Sequence, residues 1–197
     1  MKYRLIIASV VLTCAACSVS RTTITHLQLR SQEHSENLQN DPVVVLNAVA
    51  LPDYLLRDEL LRRRGDYRLT YDPAYRWAEP LDLGIQRVLD EELEARLRTR
   101  QVIRFPAMAR RTPDWILSVE VFSFEALDRT VVLEAEGLWS EGSAPETASV
   151  AIDFKDTQAL DDDASADAIA RALSLLLQRF ALALAEELAA HERQNDG

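Results

Sequence analysis

Few side chains in this chain could form a covalent bond or hold a metal, and their spacing selects one chemistry. Cys17 follows the small pair Ala15 and Ala16, which close an apolar run from Leu5 to Ala16 headed by Lys2 and Arg4. A positive n-region, an h-region of about a dozen apolar residues and a small-residue site mark an export signal. The run is too short to cross a bilayer, which takes roughly 20 apolar residues. A cysteine directly after such a site reads as a lipid-attachment residue, the alternative being an ordinary secretory signal with an incidental cysteine. Residues 1–16 are therefore expected to leave as a signal peptide, with Cys17 carrying the anchor. Cys14 leaves with them, so the mature chain keeps one cysteine and forms no disulfide. Ser18 in place of Asp after that cysteine points, by the usual sorting logic, to the outer membrane.

The remaining candidates offer little chemistry. His26, His34 and His191 lie far apart, and no HExxH, CxxC or paired-histidine spacing occurs, so no metal is expected. Asp161, Asp162 and Asp163 with Asp167 lack the glycine and terminal glutamate of a calcium loop and read as acid at a helix N-terminus. Ser140 lacks the leading glycine of a nucleophile elbow. Five scattered glycines make no phosphate loop, so neither an enzyme nor a cofactor is expected. Glu91, Glu92 and Glu94 with Arg96, Arg98 and Arg100 read as a solvated helix face. The formal charge of −10 becomes about −12 once Lys2 and Arg4 leave, which disfavours nucleic acid as a partner.

The elements that would position any site follow from periodicity. Thr23 to Leu29 alternates as a short strand, leaving residues 17–22 as lipidated cysteine and tether; its five residues after Cys17 span about 17 Å at most. A polar loop follows from Arg30 to Asp41. Val43 to Leu51 reads as a strand buried on both faces and ended by Pro52. Asp53 reads as the N-cap of a short helix through Leu61, closed by Gly65 after Arg62, Arg63 and Arg64. Tyr67 to Tyr71 is expected as a strand, and Asp72 to Pro80 as a loop. An amphipathic helix from Leu81 to Thr99 buries Leu81, Ile85, Val88, Leu89, Leu93 and Leu97, and Val102 to Phe105 is a short strand. Alternation at Trp115 to Val121, Val131 to Trp139 and Ala148 to Phe154 gives an antiparallel meander. Ser165 to His191 is a long helix whose apolar surface exceeds one face, to be covered by the sheet and by either another helix or a second subunit; Gln178 and Arg179 argue against a membrane span. The fold class is thus α+β: a single domain over residues 23–192, with a mixed sheet, a C-terminal meander, helices packed on it and a disordered tail at 193–197.

Tyr67, Tyr71, Tyr75 and Trp77 beside Arg68 and Arg76 form an aromatic and arginine cluster, either a grip on a partner or a pin for its loop. Here the chain resembles a known family. Leu51-Pro52-Asp53-Tyr54-Leu55 with Arg57, then Arg76-Trp77-Ala78-Glu79-Pro80-Leu81, Val88-Leu89 with Leu93, and the Leu/Ala-rich final helix resemble the ABC-type transport auxiliary lipoproteins, PqiC-like components of MCE/Pqi intermembrane transport systems. Thr25 to Leu29 falls where that family has a strand soon after its lipidated cysteine. The resemblance implies an outer-membrane lipoprotein on the periplasmic face that docks an MCE-domain periplasmic protein (PqiB-like) in lipid transport, as a homo-oligomer. It leaves open whether Tyr54, Arg57, Arg76, Trp77, Glu79 and Pro80 contact that partner or hold the fold. An envelope scaffold lipoprotein and a lipid-binding carrier with its own apolar pocket are the competing functions.

Overall fold

The computed structural model describes residues 23–31, 38–65, 67–104 and 112–195; the signal, Cys17, its tether and His34 lie outside them. The elements in chain order are β1 (Thr25–Leu27), β2 (Val44–Leu46), a single 3-10 turn (Asp53–Leu55), β3 (Glu59–Arg64), β4 (Arg68–Trp77), α1 (Leu81–Leu97), β5 (Val102–Arg104), β6 (Trp115–Leu127), β7 (Thr130–Glu141), β8 (Ala148–Ala159) and α2 (Ala166–Asn195). All eight strands form one mixed sheet.

The expected meander is its spine: β6, β7 and β8 pair antiparallel over nearly their whole length. The other edge of β6 is shared. Its start pairs in parallel with β2, from Val44 opposite Trp115, and its end pairs in parallel with β3, Arg62 opposite Ala126. β4 then joins β3 antiparallel, β1 joins β4 in parallel, and β5 joins β2 in parallel. Trp115, Leu117, Val119 and Val121 are buried, and beyond a bulge the buried positions become Phe124 and Ala126. Phe122 is the extra residue of that bulge, 42% exposed, and it shifts the alternation by one.

α2 crosses β7 and β8 and packs against α1. Ile169, Leu173, Leu176, Phe180, Leu184 and Leu188 are buried, with Leu177 and the small Ala170 and Ala181 widening the stripe. The wide apolar surface is covered within the domain, by the sheet and by α1. The helix is long and apolar enough to cross a membrane by composition alone, but 67% of that apolar window is buried inside the protein. It continues through Asn195, so Arg193 to Asn195, expected as tail, are helical.

Three expectations are corrected. The helix expected from Asp53 to Gly65 is one 3-10 turn followed by β3. Leu60 and Leu61 are adjacent and both buried, at 1% and 5% exposure, because β3 is an inner strand with both faces covered. The loop expected at Asp72 to Pro80 is mostly β4. Pro73 is tolerated because Leu60 opposes Asp72 while Glu59 opposes Arg76, so the proline falls in a bulge and owes β3 no hydrogen bond. The strand expected at Val43 to Leu51 is regular only at Val44–Leu46. The chain then follows β6 irregularly, Asn47 N–H donating to Leu117 O at 2.9 Å and Ala50 N–H to Val119 O at 3.0 Å. Val43 and Val44 are adjacent and both buried, so both faces are covered at the start of the segment as expected, whereas farther on Leu46 and Val49 are buried and Ala48 and Ala50 exposed, so there only one face is covered.

Helix and sheet meet closely at Gly137, on the inner face of β7 between Val119 and Ile152. A Cβ there would overlap Leu184 Cδ2 and touch the Phe180 ring at 3.6 Å. Gly137→Val is expected to overpack this contact and cost about 1–3 kcal/mol. A lower urea midpoint at unchanged slope would show it; an unchanged midpoint would show that α2 gives way freely.

Candidate functional site

The two motif pieces fold into one corner. Pro52 O accepts from Leu55 N–H at 2.9 Å, a tight turn that buries Leu55 and turns Tyr54 toward the sheet. The Tyr54 hydroxyl donates to the carbonyl of the bulged Phe122 at 3.0 Å, and the Tyr54 carbonyl accepts from the Tyr71 hydroxyl at 3.1 Å. Arg57 lies over the Tyr71 ring, 4.2 Å from its centroid, a cation–π distance. Glu59 receives Arg57 Nε at 3.3 Å and lies 3.9 Å from Arg76 Nη2. Its own backbone N–H, together with Arg57, holds the Glu59 carboxyl below the usual glutamate range. Burial pushes the Tyr54 phenol upward, and the Glu125 carboxylate adds to that.

The second piece carries the corner into α1. Trp77 is buried, its N–H bonded to Asp58 O at 2.7 Å, and Ala78 N–H donates to Leu27 O at 2.7 Å. Pro80 then starts α1 without a side-chain cap, its carbonyl accepting from Gly84 N–H at 2.9 Å. Glu79 is held by Arg87 at 2.7 Å, and Arg87 also donates to Leu29 O at 2.8 Å. The Glu79 hydrogen bond raises the Arg87 guanidinium further above its ordinary value. Tyr54, Arg57, Arg76, Trp77, Glu79 and Pro80 therefore share one knot between β1, β3, β4 and α1. Beneath it lies a void of only about 10 Å³, room for a single water.

Sequence reasoning missed Glu59 and Arg87, each needed to pair a motif charge. It also missed the half-buried Arg63 and its buried partner Glu125, joined at 2.7 Å, in which the hydrogen bond to Glu125 raises the arginine. Glu92, expected on a solvated face, is fully buried, accepting from Ser31 Oγ at 2.7 Å and pairing with Arg96 at 3.0 Å. The only sequence signal for these pairs was the excess of arginine.

The other chemical candidates are dispersed. His26 lies on β1 and His191 on the last turns of α2, edge-on to Trp115 with ring centroids 5.8 Å apart. Among the described residues no group of three or more His, Cys, Asp or Glu is placed to hold a metal. Ser140 sits within β7 opposite Ile116, not on a strand-to-helix turn. Asp161 to Asp163 precede α2; Ser165 accepts from Ala168 N–H at 3.2 Å at its start, while Asp162 engages Arg129 at 2.7 Å. Of three open clefts, those of about 490 and 540 Å³ are lined mainly by polar groups, whereas that of about 440 Å³, between Ala48, Ala50, Val119 and Leu138, is mainly apolar with Asn47, Glu120 and Glu136 at its sides.

One carboxyl is strongly perturbed. Asp90 faces β5 from α1, 3.0 Å from Arg104. Burial pushes its carboxyl up to about 6, with Glu94 and Glu91 adding and Arg104 opposing. Glu94 is also raised, chiefly by burial. An unfolded aspartate titrates near ~3.9, so the contribution of Asp90 to stability is complete below that value and is lost as pH rises through about 6. Asp90→Asn should be the more stable chain at pH 8, by roughly 1–3 kcal/mol, with the advantage gone near pH 4. Urea unfolding across that range measures it, and a variant weaker than wild type at pH 8 would show that the Arg104 pair outweighs burial.

Comparison with known proteins adds identity to this geometry. Residues 26–185 match the family described as ABC-type transport auxiliary lipoprotein component. A crystal structure of an uncharacterized protein superimposes with a TM-score of 0.69 at 19% identity, covering 84% of this chain and 99% of its own. A Xanthomonas campestris protein of family DUF330 superimposes with a TM-score of 0.70 at 14% identity, covering 88% and 98%. At these identities the likeness establishes the fold. No curated protein matches the sequence.

Proposed function

The chain belongs to the ABC-type transport auxiliary lipoprotein family, and from that premise we propose that it docks the periplasmic conduit of an intermembrane lipid transport system at the outer membrane. Membership makes it an auxiliary lipoprotein component of an ABC-type transport system, held at a membrane of the cell envelope, in a family that is not one of enzymes. The finer reading is that Cys17 carries the lipid anchor in the outer membrane, that the partner is an MCE-domain protein, and that phospholipid or other apolar cargo passes between the membranes.

The family match over residues 26–185 is the observation that carries this. The filled core favours docking over carriage. A lipid carrier needs an enclosed apolar pocket of roughly 300–1,000 Å³, whereas the described clefts of that size are open: two are mainly polar, and the mainly apolar one lies at the surface beside Glu120 and Glu136. Self-association has support in β8, twelve residues long and paired among the described residues with β7 alone, so that its other edge can offer backbone groups to another copy. The motif residues then serve docking indirectly, by fixing the corner of β1, β3, β4 and α1.

Mild crosslinking in cells followed by purification should recover an MCE-domain protein with the wild-type chain, and its absence would remove the docking role. Cys17→Ser should move the protein from the membrane to the soluble fraction. Membrane association that survives this substitution would overturn the anchor.

A further inference from the structure

The face of the meander turned away from α2 carries charge and apolar surface in a fixed order. Gly137 and Trp139 of β7 meet α2, so the residues that alternate with them lie on the opposite face. There the register of β6, β7 and β8 sets Ser118, Leu138 and Ala151 in one cross-strand row and Glu120, Glu136 and Asp153 in the next. The rows are about 7 Å apart along the strands, and each spans about 10 Å across them. Glu120 and Asp153 are exposed and Glu136 is half-buried. Like charges directly opposed across a ladder are unfavourable, and Glu136 takes part in two such pairs. Among the described residues no hydrogen bond or ion pair engages any of the three carboxylates. In the row beyond, Lys155 is already held by Glu134 at 2.8 Å.

The mainly apolar cleft of about 440 Å³ adjoins this acidic row. Ala48 and Ala50 are exposed and too small to fill it, and Leu138 lines it from β7. Asn47 Nδ2 donates to Ser118 Oγ at 2.9 Å and Ala50 bridges Glu120, so its rim is tied to β6. On the other side of the acidic row Phe122, two residues beyond Glu120, is 42% exposed. Along β6 the cleft at Ser118, the carboxylates at Glu120 and the ring of Phe122 thus follow one another at two-residue spacing. An extended chain repeats its side-chain direction every second residue, so a strand laid on this face sets apolar, basic and apolar side chains on the three in turn. A purely apolar occupant would desolvate the carboxylates beside the cleft without pairing them. A cation removes that cost and the like-charge repulsion together.

We propose that this face, with Ala50, Leu138, Glu120, Glu136, Asp153 and Phe122, is the docking surface for an extended segment of a partner protein in which apolar and basic residues alternate. The basic side chain lies across the acidic row, one apolar neighbour enters the cleft and the other meets Phe122. This rests on the docking role and adds to it the surface used and the chemistry of the segment received. Charge complementarity fixes the register of that segment, since a shift by one residue would turn its basic side chain away from the carboxylates.

The test titrates the full chain, purified in a neutral detergent, against a fluorescently labelled peptide, Thr-Leu-Thr-Lys-Thr-Phe-Thr, whose Leu, Lys and Phe share one face when extended. Polarisation should show saturable binding that weakens with salt. Glu120→Lys with Glu136→Lys should weaken it by about tenfold or more and make the same peptide with Glu in place of Lys the better ligand. Asp153→Lys on β8 gives a second reversal in the same direction should the double variant fail to fold. Ala50→Trp fills the cleft and should weaken binding without changing its salt dependence. Glu186→Lys with Glu187→Lys, exposed on α2 and equal in charge change, should leave binding as it is. A wild-type chain that does not bind, equal binding of the Lys and Glu peptides, or an equal loss in the α2 variant overturns the proposal. So does self-association that the Glu120→Lys, Glu136→Lys change abolishes in sedimentation, which would put a second copy on this face. A crosslinking experiment that recovers no MCE-domain protein bears on the identity of the partner alone, whereas a peptide that does not bind removes this face whatever the partner is.

Discussion

The fold depends on how closely α2 can approach β7. A helix of mostly leucine and alanine laid on a twisted sheet needs a low point on the sheet, and Gly137 supplies it beneath Leu184. One residue pair further on, Trp139 donates its indole N–H to the Leu184 carbonyl at 3.1 Å. That bond satisfies a polar group which would otherwise be buried without a partner. The rest of the packing is built outward from this contact. α1 packs against α2, the Arg30 N–H reaches Ser174 Oγ at 3.1 Å, and Trp115 reaches Glu192 at 3.0 Å near the helix end. The helix thereby ties the N-terminal strand, the first strand of the meander and the chain end to one rod about 45 Å long.

Charge is spent on architecture in this molecule. Arg87 holds Glu79 and the Leu29 carbonyl at once, so one guanidinium joins α1 to the loop before it and to the segment after β1. Glu92 and Glu125 are buried carboxylates, each facing an arginine at hydrogen-bond distance. Such pairs add little net stability, because desolvation offsets their attraction, but losing one partner is costly. They act best as alignment devices, refusing registers in which the carboxylate would lie alone. A catalytic carboxylate needs a cleft and freedom to meet a substrate. Glu92 and Glu125 have neither.

The parts that were legible from residues alone share a cause. α1, α2 and the meander announce themselves because one face is wet and the other dry, so hydrophobic period equals structural period. β3 failed that test. With both faces covered, Leu60 and Leu61 sit side by side as they would on a helix, and Arg62 to Arg64 imitate a helix C-terminus. β4 failed because Pro73 reads as a breaker unless the bulge that accommodates it is known. The second half of β6 went unread because the bulge at Phe122 shifts its phase. The motif corner was visible as a cluster of aromatic residues and arginines. Its purpose was not, since Glu59, Arg87 and the Phe122 carbonyl that complete it come from three other places in the sequence.

The length of β6 gives the domain two distinct ends. Thirteen residues at strand rise cover roughly 40 Å, and the strand changes partner on the way, from β2 at its start to β3 at its end. The β3–β4 hairpin, the β6–β7 turn and the start of α2 gather at one end. Trp115, the β7–β8 turn and the last turns of α2 gather at the other. The change of partner makes the two ends chemically different while the closed core between them stays continuous. An enclosed carrier would need the opposite, a core hollowed where α2 and the sheet here close on Gly137.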